Sequence, residues 1–111
     1  MTWTVETLNE VVDAELEELP ADMRARFHYI SQLIEEFWLD RVREPHVKHL
    51  RGRLWEMRMK GQDGISRALY VTAVGKRVVV VRVFIKKTRT TPSREIEVGL
   101  KRAKELESWP K

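Results

Sequence analysis

The chain of 111 residues contains no cysteine, only five glycines and four prolines, and no long apolar run. Without cysteine it can hold neither a disulfide framework nor a thiolate zinc site. No glycine-rich phosphate loop, nucleophile elbow or paired-carboxylate arrangement is present. His46 and His49 sit three apart with no carboxylate motif beside them, a spacing commoner by chance than as a metal site. Neither a metal nor a cofactor is therefore expected. The longest apolar run, Val78 to Val81, continues through Arg82 to Ile85, far short of the roughly 20 residues of a membrane helix. Nothing is expected to span a membrane. Met1 to Glu6 shows no basic stretch leading into an apolar one, so no secretory signal is read and the expected compartment is the cytoplasm.

What is present fits one small domain over residues 1–111. A chain of this size can bury about two-thirds of the surface its unfolded form exposes, enough for a single two-layer core. Charge is distributed unevenly. Residues 1–22 hold seven acids and no Lys or Arg, leaving 21 bases against ten acids in the remainder. Between Pro45 and Arg94 thirteen bases meet only Glu56 and Asp63. Such a bias is the electrostatic footprint of a polyanion partner, or of a basic surface that answers the acidic N-terminal helix.

The periodicity gives the order β-α-α-β-β-β-α. Trp3 and Val5 alternate with polar residues as a short strand, and Thr7-Leu8-Asn9-Glu10 has the spacing of a capping box opening a first helix. After Pro20, Met23, Phe27, Ile30 and Ile34 recur at helical spacing to about Leu39. Pro45 to Gly52 reads as a basic connector. Leu54–Met59, Ile65–Val74 and Arg77–Ile85 then read as strands, joined by turns too short for anything but antiparallel hairpins. Thr91-Pro92 opens a last helix, with Thr91 expected as its N-cap. The expected fold is α+β, a small, mainly antiparallel sheet with helices packed on one face.

Strand alternation then places candidate residues. In the last strand Val79, Val81, Val83 and Ile85 are expected to face the core, leaving Arg82, Phe84 and Lys86 on the open face. Arg58 is expected to join them, while periodicity does not assign Arg67 to a face. Glu56 and Arg58 could form an ion pair at the sheet surface, and Tyr70 could be a core ring or a hydroxyl reaching the site. An open sheet face bearing cations and aromatic rings suits single-stranded nucleic acid. Metal-free RNA cleavage needs a group to take the 2′-hydroxyl proton, one to protonate the leaving oxygen, and cations to hold the phosphorane charge. Arg and Lys can supply the last, and a Lys of lowered pKa can also move protons.

Several blocks together resemble a known family: Leu19-Pro20, Arg43-Glu44-Pro45-His46-Val47-Lys48-His49-Leu50-Arg51-Gly52, Leu54-Trp55-Glu56-Met57-Arg58, Arg67-Ala68-Leu69-Tyr70 and Phe84-Ile85-Lys86-Lys87-Thr88-Arg89-Thr90-Thr91-Pro92. In order and spacing the chain resembles, over roughly residues 3 to 107, the HigB-type, phage-associated branch of the RelE/ParE toxin superfamily. The resemblance implies a toxin of a type II toxin–antitoxin module, a metal-independent endoribonuclease that cuts translated mRNA in the ribosomal A site. It also implies a HigA-like helix-turn-helix antitoxin as partner, besides the ribosome and mRNA. By motif position Arg67 is the first choice for holding the scissile phosphate. Arg58, Lys86 and Lys87 are assigned to phosphate stabilisation and proton transfer. Arg82, Arg89, Phe84, Lys48 and Arg51 are expected to contact RNA. Some relatives place a His-Tyr pair or a lone Tyr near the C-terminus, which here ends Glu105-Leu106-Glu107-Ser108-Trp109-Pro110-Lys111, so the acid and base stay unassigned. Two other readings share these features: a ParE-like inhibitor of gyrase without nuclease activity, and a non-catalytic basic module that binds RNA or an acidic protein.

Overall fold

The computed structural model describes residues 2–42, 46–86 and 90–107. In chain order the elements are β1 (Thr4–Thr7), α1 (Glu10–Glu17), α2 (Ala21–Phe37), a 3-10 turn (Leu39–Arg41), β2 (Val47–Arg51), β3 (Leu54–Gly61), β4 (Gly64–Ala73), β5 (Arg77–Lys86) and α3 (Ser93–Glu107). The α+β class and the mainly antiparallel sheet are as expected. The five strands run β1-β5-β4-β3-β2, with β1 parallel to β5 and every other pair antiparallel.

One strand was not expected. The segment read as a connector contributes β2, which pairs with β3 so that Val47 lies opposite Met57 and His49 opposite Trp55. Val47 is buried while Lys48 and His49 are exposed. Only one residue of β2 fully enters the core, too weak an alternation to read as a strand. Its Lys and Arg suit an edge position, because charged side chains discourage further strand pairing.

Cap chemistry differs from the capping-box reading. The N-cap of α1 is Asn9, whose side chain accepts a hydrogen bond from the Val12 amide, while the Thr7 hydroxyl donates to Asp13. Thr7 is the last residue of β1, and Asn9 is the better cap once the strand has run that far.

Helix α2 buries Met23, Phe27, Ile30 and Ile34, the stripe its spacing calls for. It packs on the face of β3 that carries Met57, Met59 and Gly61; a Cβ at Gly61 would come within 2.8 Å of Met23 Cγ. Helix α3 comes round to the other face. A Cβ at Gly99 would lie 3.1 Å from Leu54 Cδ2 and 3.2 Å from Leu69 Cδ1, and Leu54 and Leu69 share the face of Glu56. Those two leucines need cover from water, and α3 supplies it. The second face is thereby left open toward Arg58, Lys60 and Lys86.

A bulge in β5 decides what stands there. Leu69 pairs with Arg82 but Tyr70 pairs with Val80, so Val81 is an extra residue. The bulge shifts the alternation, so that Val79, not Val80, shares a face with Arg82. This corrects the strict alternation expected across Val79, Val81, Val83 and Ile85. All four valines from Val78 to Val81 are buried regardless.

Beyond Val80 strand β5 has no β1 neighbour, and side chains close its edge. The Glu15 carboxylate, from α1, accepts from the Val83 amide and from the guanidinium groups of Arg82 and Arg102. Arg102, from α3, also donates to the Val81 carbonyl. Three elements thus meet on one carboxylate only 13% exposed. Among the described residues no helix is long and apolar enough to cross a membrane.

Removing Glu15 leaves two arginines and a strand amide without this acceptor. Glu15→Ala is expected to lower stability by about 2–4 kcal/mol, whereas exposed Glu17→Ala should stay within about 0.5 kcal/mol, both read from urea unfolding midpoints.

Candidate functional site

The sheet register brings three separate sequence blocks to one point. Arg58 lies directly opposite Arg67, Arg67 opposite Phe84, Ile65 opposite Lys86 and Lys48 opposite Glu56. Cross-strand partners share a face. Lys48, Glu56, Arg58, Lys60, Arg67, Arg82, Phe84 and Lys86 therefore all point to the second face, the assignment that periodicity left open for Arg67.

At the centre is Glu56, with no exposed surface. Arg67 Nη1 donates to its Oε2 at 2.6 Å, and the Thr91 hydroxyl donates to its Oε1 at 2.5 Å. Arg67 Nη1 also reaches Thr91 Oγ1 at 3.2 Å. Arg58 Nε stands 3.8 Å from the same carboxylate and is 30% exposed. Glu56 was expected as half of a surface pair with Arg58; its closer partner is Arg67, and the pair is buried.

Arg67, expected to hold the scissile phosphate, is 2% exposed and ion-paired to Glu56, so in this conformation its guanidinium serves the frame of the site. Arg82, expected to contact RNA, donates to Glu95 at 2.7 Å and to Glu15 at 2.6 Å. Those two carboxylates hold its guanidinium in a network of ion pairs. Phe84, expected as a stacking ring, is buried, with the Arg82 guanidinium carbon 5.8 Å from its ring centre. Lys48 and Arg51 are exposed on β2. Lys87 and Arg89 lie outside the described residues. Tyr70 lies opposite Trp55 and Val80 on the other face and is buried; burial pushes its hydroxyl pKa up. It is a core ring.

Arg58 and Lys86 are the expected catalytic cations that keep surface. The pKa of Lys86 is lowered, chiefly by burial and next by the positive charge of Arg67, against which Glu56 and Glu95 pull it upward. Sequence reasoning missed Thr91 as a site residue. Its place before Pro92 and Ser93 suggested a helix cap, but the first turn of α3 is closed by the Pro92 carbonyl, which accepts from the amides of Glu95 and Ile96, and the Thr91 hydroxyl turns to Glu56. Among the described residues no group of three or more His, Asp or Glu side chains gathers as a metal site.

The pattern of a family described as phage-derived Gp49-like proteins matches residues 14–104. Among solved structures, a chain in the crystal structure of the archaeal RelE–RelB complex from Pyrococcus horikoshii OT3 is similar with a TM-score of 0.57 at 23% identity. The match covers 81% of this chain and 100% of that one. No curated protein matches in sequence.

Two predictions follow from the burial of the central pair. Arg67→Ala strands the Glu56 carboxylate and should lower stability by about 3–5 kcal/mol, while Arg58→Ala, at a half-exposed position, should cost less than about 1 kcal/mol; thermal and urea unfolding of both variants measure this. With the folded pKa of Lys86 below the ordinary lysine value, the unfolded chain takes the proton first as pH falls, and the folded state loses stability across that interval. Lys86→Met should therefore raise the melting temperature at pH 7, and the gain should shrink above the ordinary lysine pKa, where both states are neutral.

Proposed function

The chain belongs to the family of phage-derived Gp49-like proteins, a RelE-type, toxin-like family, and from that premise we propose that it is the toxin of a type II toxin–antitoxin pair. Its activity in this reading is that of a HigB-like, metal-independent endoribonuclease acting on translated mRNA in the ribosomal A site. The observation that carries the reading is the cluster of exposed or half-exposed cations from three strands, Lys48, Arg58, Lys60 and Lys86, around the buried Glu56–Arg67 pair and the half-buried Thr91.

The chemistry asked of these groups is limited. The 2′-oxygen forms a bond to phosphorus while the bond to the 5′-oxygen breaks, with a proton removed from the first and delivered to the second. Arg58 and Lys86 balance the charge that grows on the non-bridging oxygens, the usual largest contribution in such sites. Lys86, with its lowered pKa, is the candidate for proton transfer. Lys87, whose place in the Lys-Lys-Thr block suggests a similar part, remains assigned by resemblance alone, as does Arg89 for RNA contact. Lys48 and Arg51 extend the positive charge toward the β2 edge, where they hold the RNA backbone by charge. A HigA-like helix-turn-helix antitoxin is the proposed partner, an idea supported by the RelE–RelB pairing of the similar structure, and the proposed site of action is the cytoplasm.

The test is inducible expression in bacteria of the wild type, Arg58→Ala and Lys86→Ala, with new mRNA 5′ ends mapped across the transcriptome. Cuts within translated regions are expected for the wild type and should fall at least about tenfold in each variant, with both variants remaining folded at the growth temperature. Growth arrest without cuts would replace this reading by a gyrase-directed toxin, and unimpaired growth by a non-catalytic binding module.

A further inference from the structure

Glu56 has an unusual position for a charged side chain: wholly buried, in the middle of β3, and on the face where the site cations stand. Its two oxygens are divided between partners from different parts of the chain. Oε2 takes Arg67 from β4, and Oε1 takes Thr91, which lies between β5 and α3, two residues before α3 begins. The exposed cations flank this junction: Arg58 two residues along β3, and Lys86 at the end of β5, five residues before Thr91. We propose that Glu56 is the positioning residue of the site, a carboxylate that fixes the Arg67 guanidinium and the Thr91 hydroxyl together, so that Arg58 and Lys86 stand in a set relation to each other. The kinetic part of this inference rests on the nuclease reading; the structural part does not.

A carboxylate suits this task better than an amide. It accepts on both oxygens at once, and its charge cancels that of Arg67, which would otherwise repel the neighbouring cations across a water-poor strand surface. Facing Lys86 from the surrounding elements are Glu56, Arg58 and Lys60 on β3, Arg67 on β4, Arg82 on β5 and Glu95 on α3. Of the two acids that act on Lys86, Glu56 and Glu95, the second is already engaged by Arg82.

Three substitutions separate positioning from mere support of the fold. Thr91→Val cuts one bond and leaves the Glu56–Arg67 pair intact, Thr91→Ser restores the hydroxyl, and Glu56→Gln removes the charge at constant size. With purified protein and ribosomes programmed with a defined mRNA, single-turnover cleavage by Thr91→Val and Glu56→Gln should fall about tenfold to a hundredfold, the effect of an ångström-scale misplacement, with half-saturation changed by less than about twofold and Thr91→Ser close to the wild type. A second readout needs no cleavage: the titration of Lys86 Nζ in lysine-labelled protein, followed by NMR. Glu56→Gln should move its midpoint to lower pH, and Thr91→Val should leave it in place.

Wild-type rates in folded Thr91→Val and Glu56→Gln, or equal losses in Thr91→Val and Thr91→Ser, overturn the proposal. If the wild type itself does not cleave, the nuclease reading falls and the Lys86 midpoint decides: a midpoint unmoved by Glu56→Gln overturns the positioning role, and a lowered one supports it. If Glu56→Gln fails to fold, the contrast between Thr91→Val and Thr91→Ser decides instead.

Discussion

A carboxylate buried within a strand survives only when its charge is answered where it stands, and Glu56 is answered by Arg67 at 2.6 Å and Thr91 at 2.5 Å. Removing water from either ion costs several kcal/mol, which the pair offsets by mutual attraction and hydrogen bonds. Replacing both ions by matched apolar groups can be neutral or stabilising elsewhere, so the pair is weak evidence for stability as such. Its effect here is geometric. It ties β3, β4 and the start of α3 to one point, and the cations that remain at the surface are arranged around that point.

The rest of the sheet is built so that this face stays partly open. Helix α2 covers the opposite face through Met23, Phe27, Ile30 and Ile34, while α3 covers Leu54 and Leu69 at one end of the second. The bulge at Val81 shifts the alternation along β5, leaving Lys86 beside the Arg58–Arg67 pair. Glu15 and Glu95 neutralise Arg82 where it would otherwise add a further charge. The acidic N-terminal segment thus meets the basic remainder at Glu15, by direct ion pairs with Arg82 and Arg102, while Glu17 and Glu18 stay exposed.

The strands, the two long helices and their order were legible because apolar residues recur at periods of two and of three to four over long runs. Strand β2 was not, because an edge strand with one buried residue leaves no such pattern. Nor was the bulge, since four successive valines fit either alternation. At the site, the blocks carrying Glu56, Arg67 and Thr91 stood out by resemblance, but which of them face each other depends on strand register, a long-range property. Residue type alone made Arg67 the natural phosphate ligand and Thr91 a helix cap. Glu56 lies 11 residues from Arg67 and 35 from Thr91 along the chain, on a neighbouring strand in one case and beyond the next hairpin in the other, where no local pattern points to it. The partners of Arg82, Glu15 and Glu95, likewise come from other elements, α1 and α3.

In the proposed function, RNA meets Arg58 and Lys86 on a frame held by Glu56 and Arg67. A crystal structure of the chain with a short RNA whose reactive 2′-hydroxyl is methylated, and so cannot attack, tests it most directly. The account predicts a phosphate within hydrogen-bonding distance of both Arg58 and Lys86, with the Glu56–Arg67 pair intact beneath it. A phosphate bound by Arg67 with Glu56 displaced, or RNA seated away from this face, would contradict it.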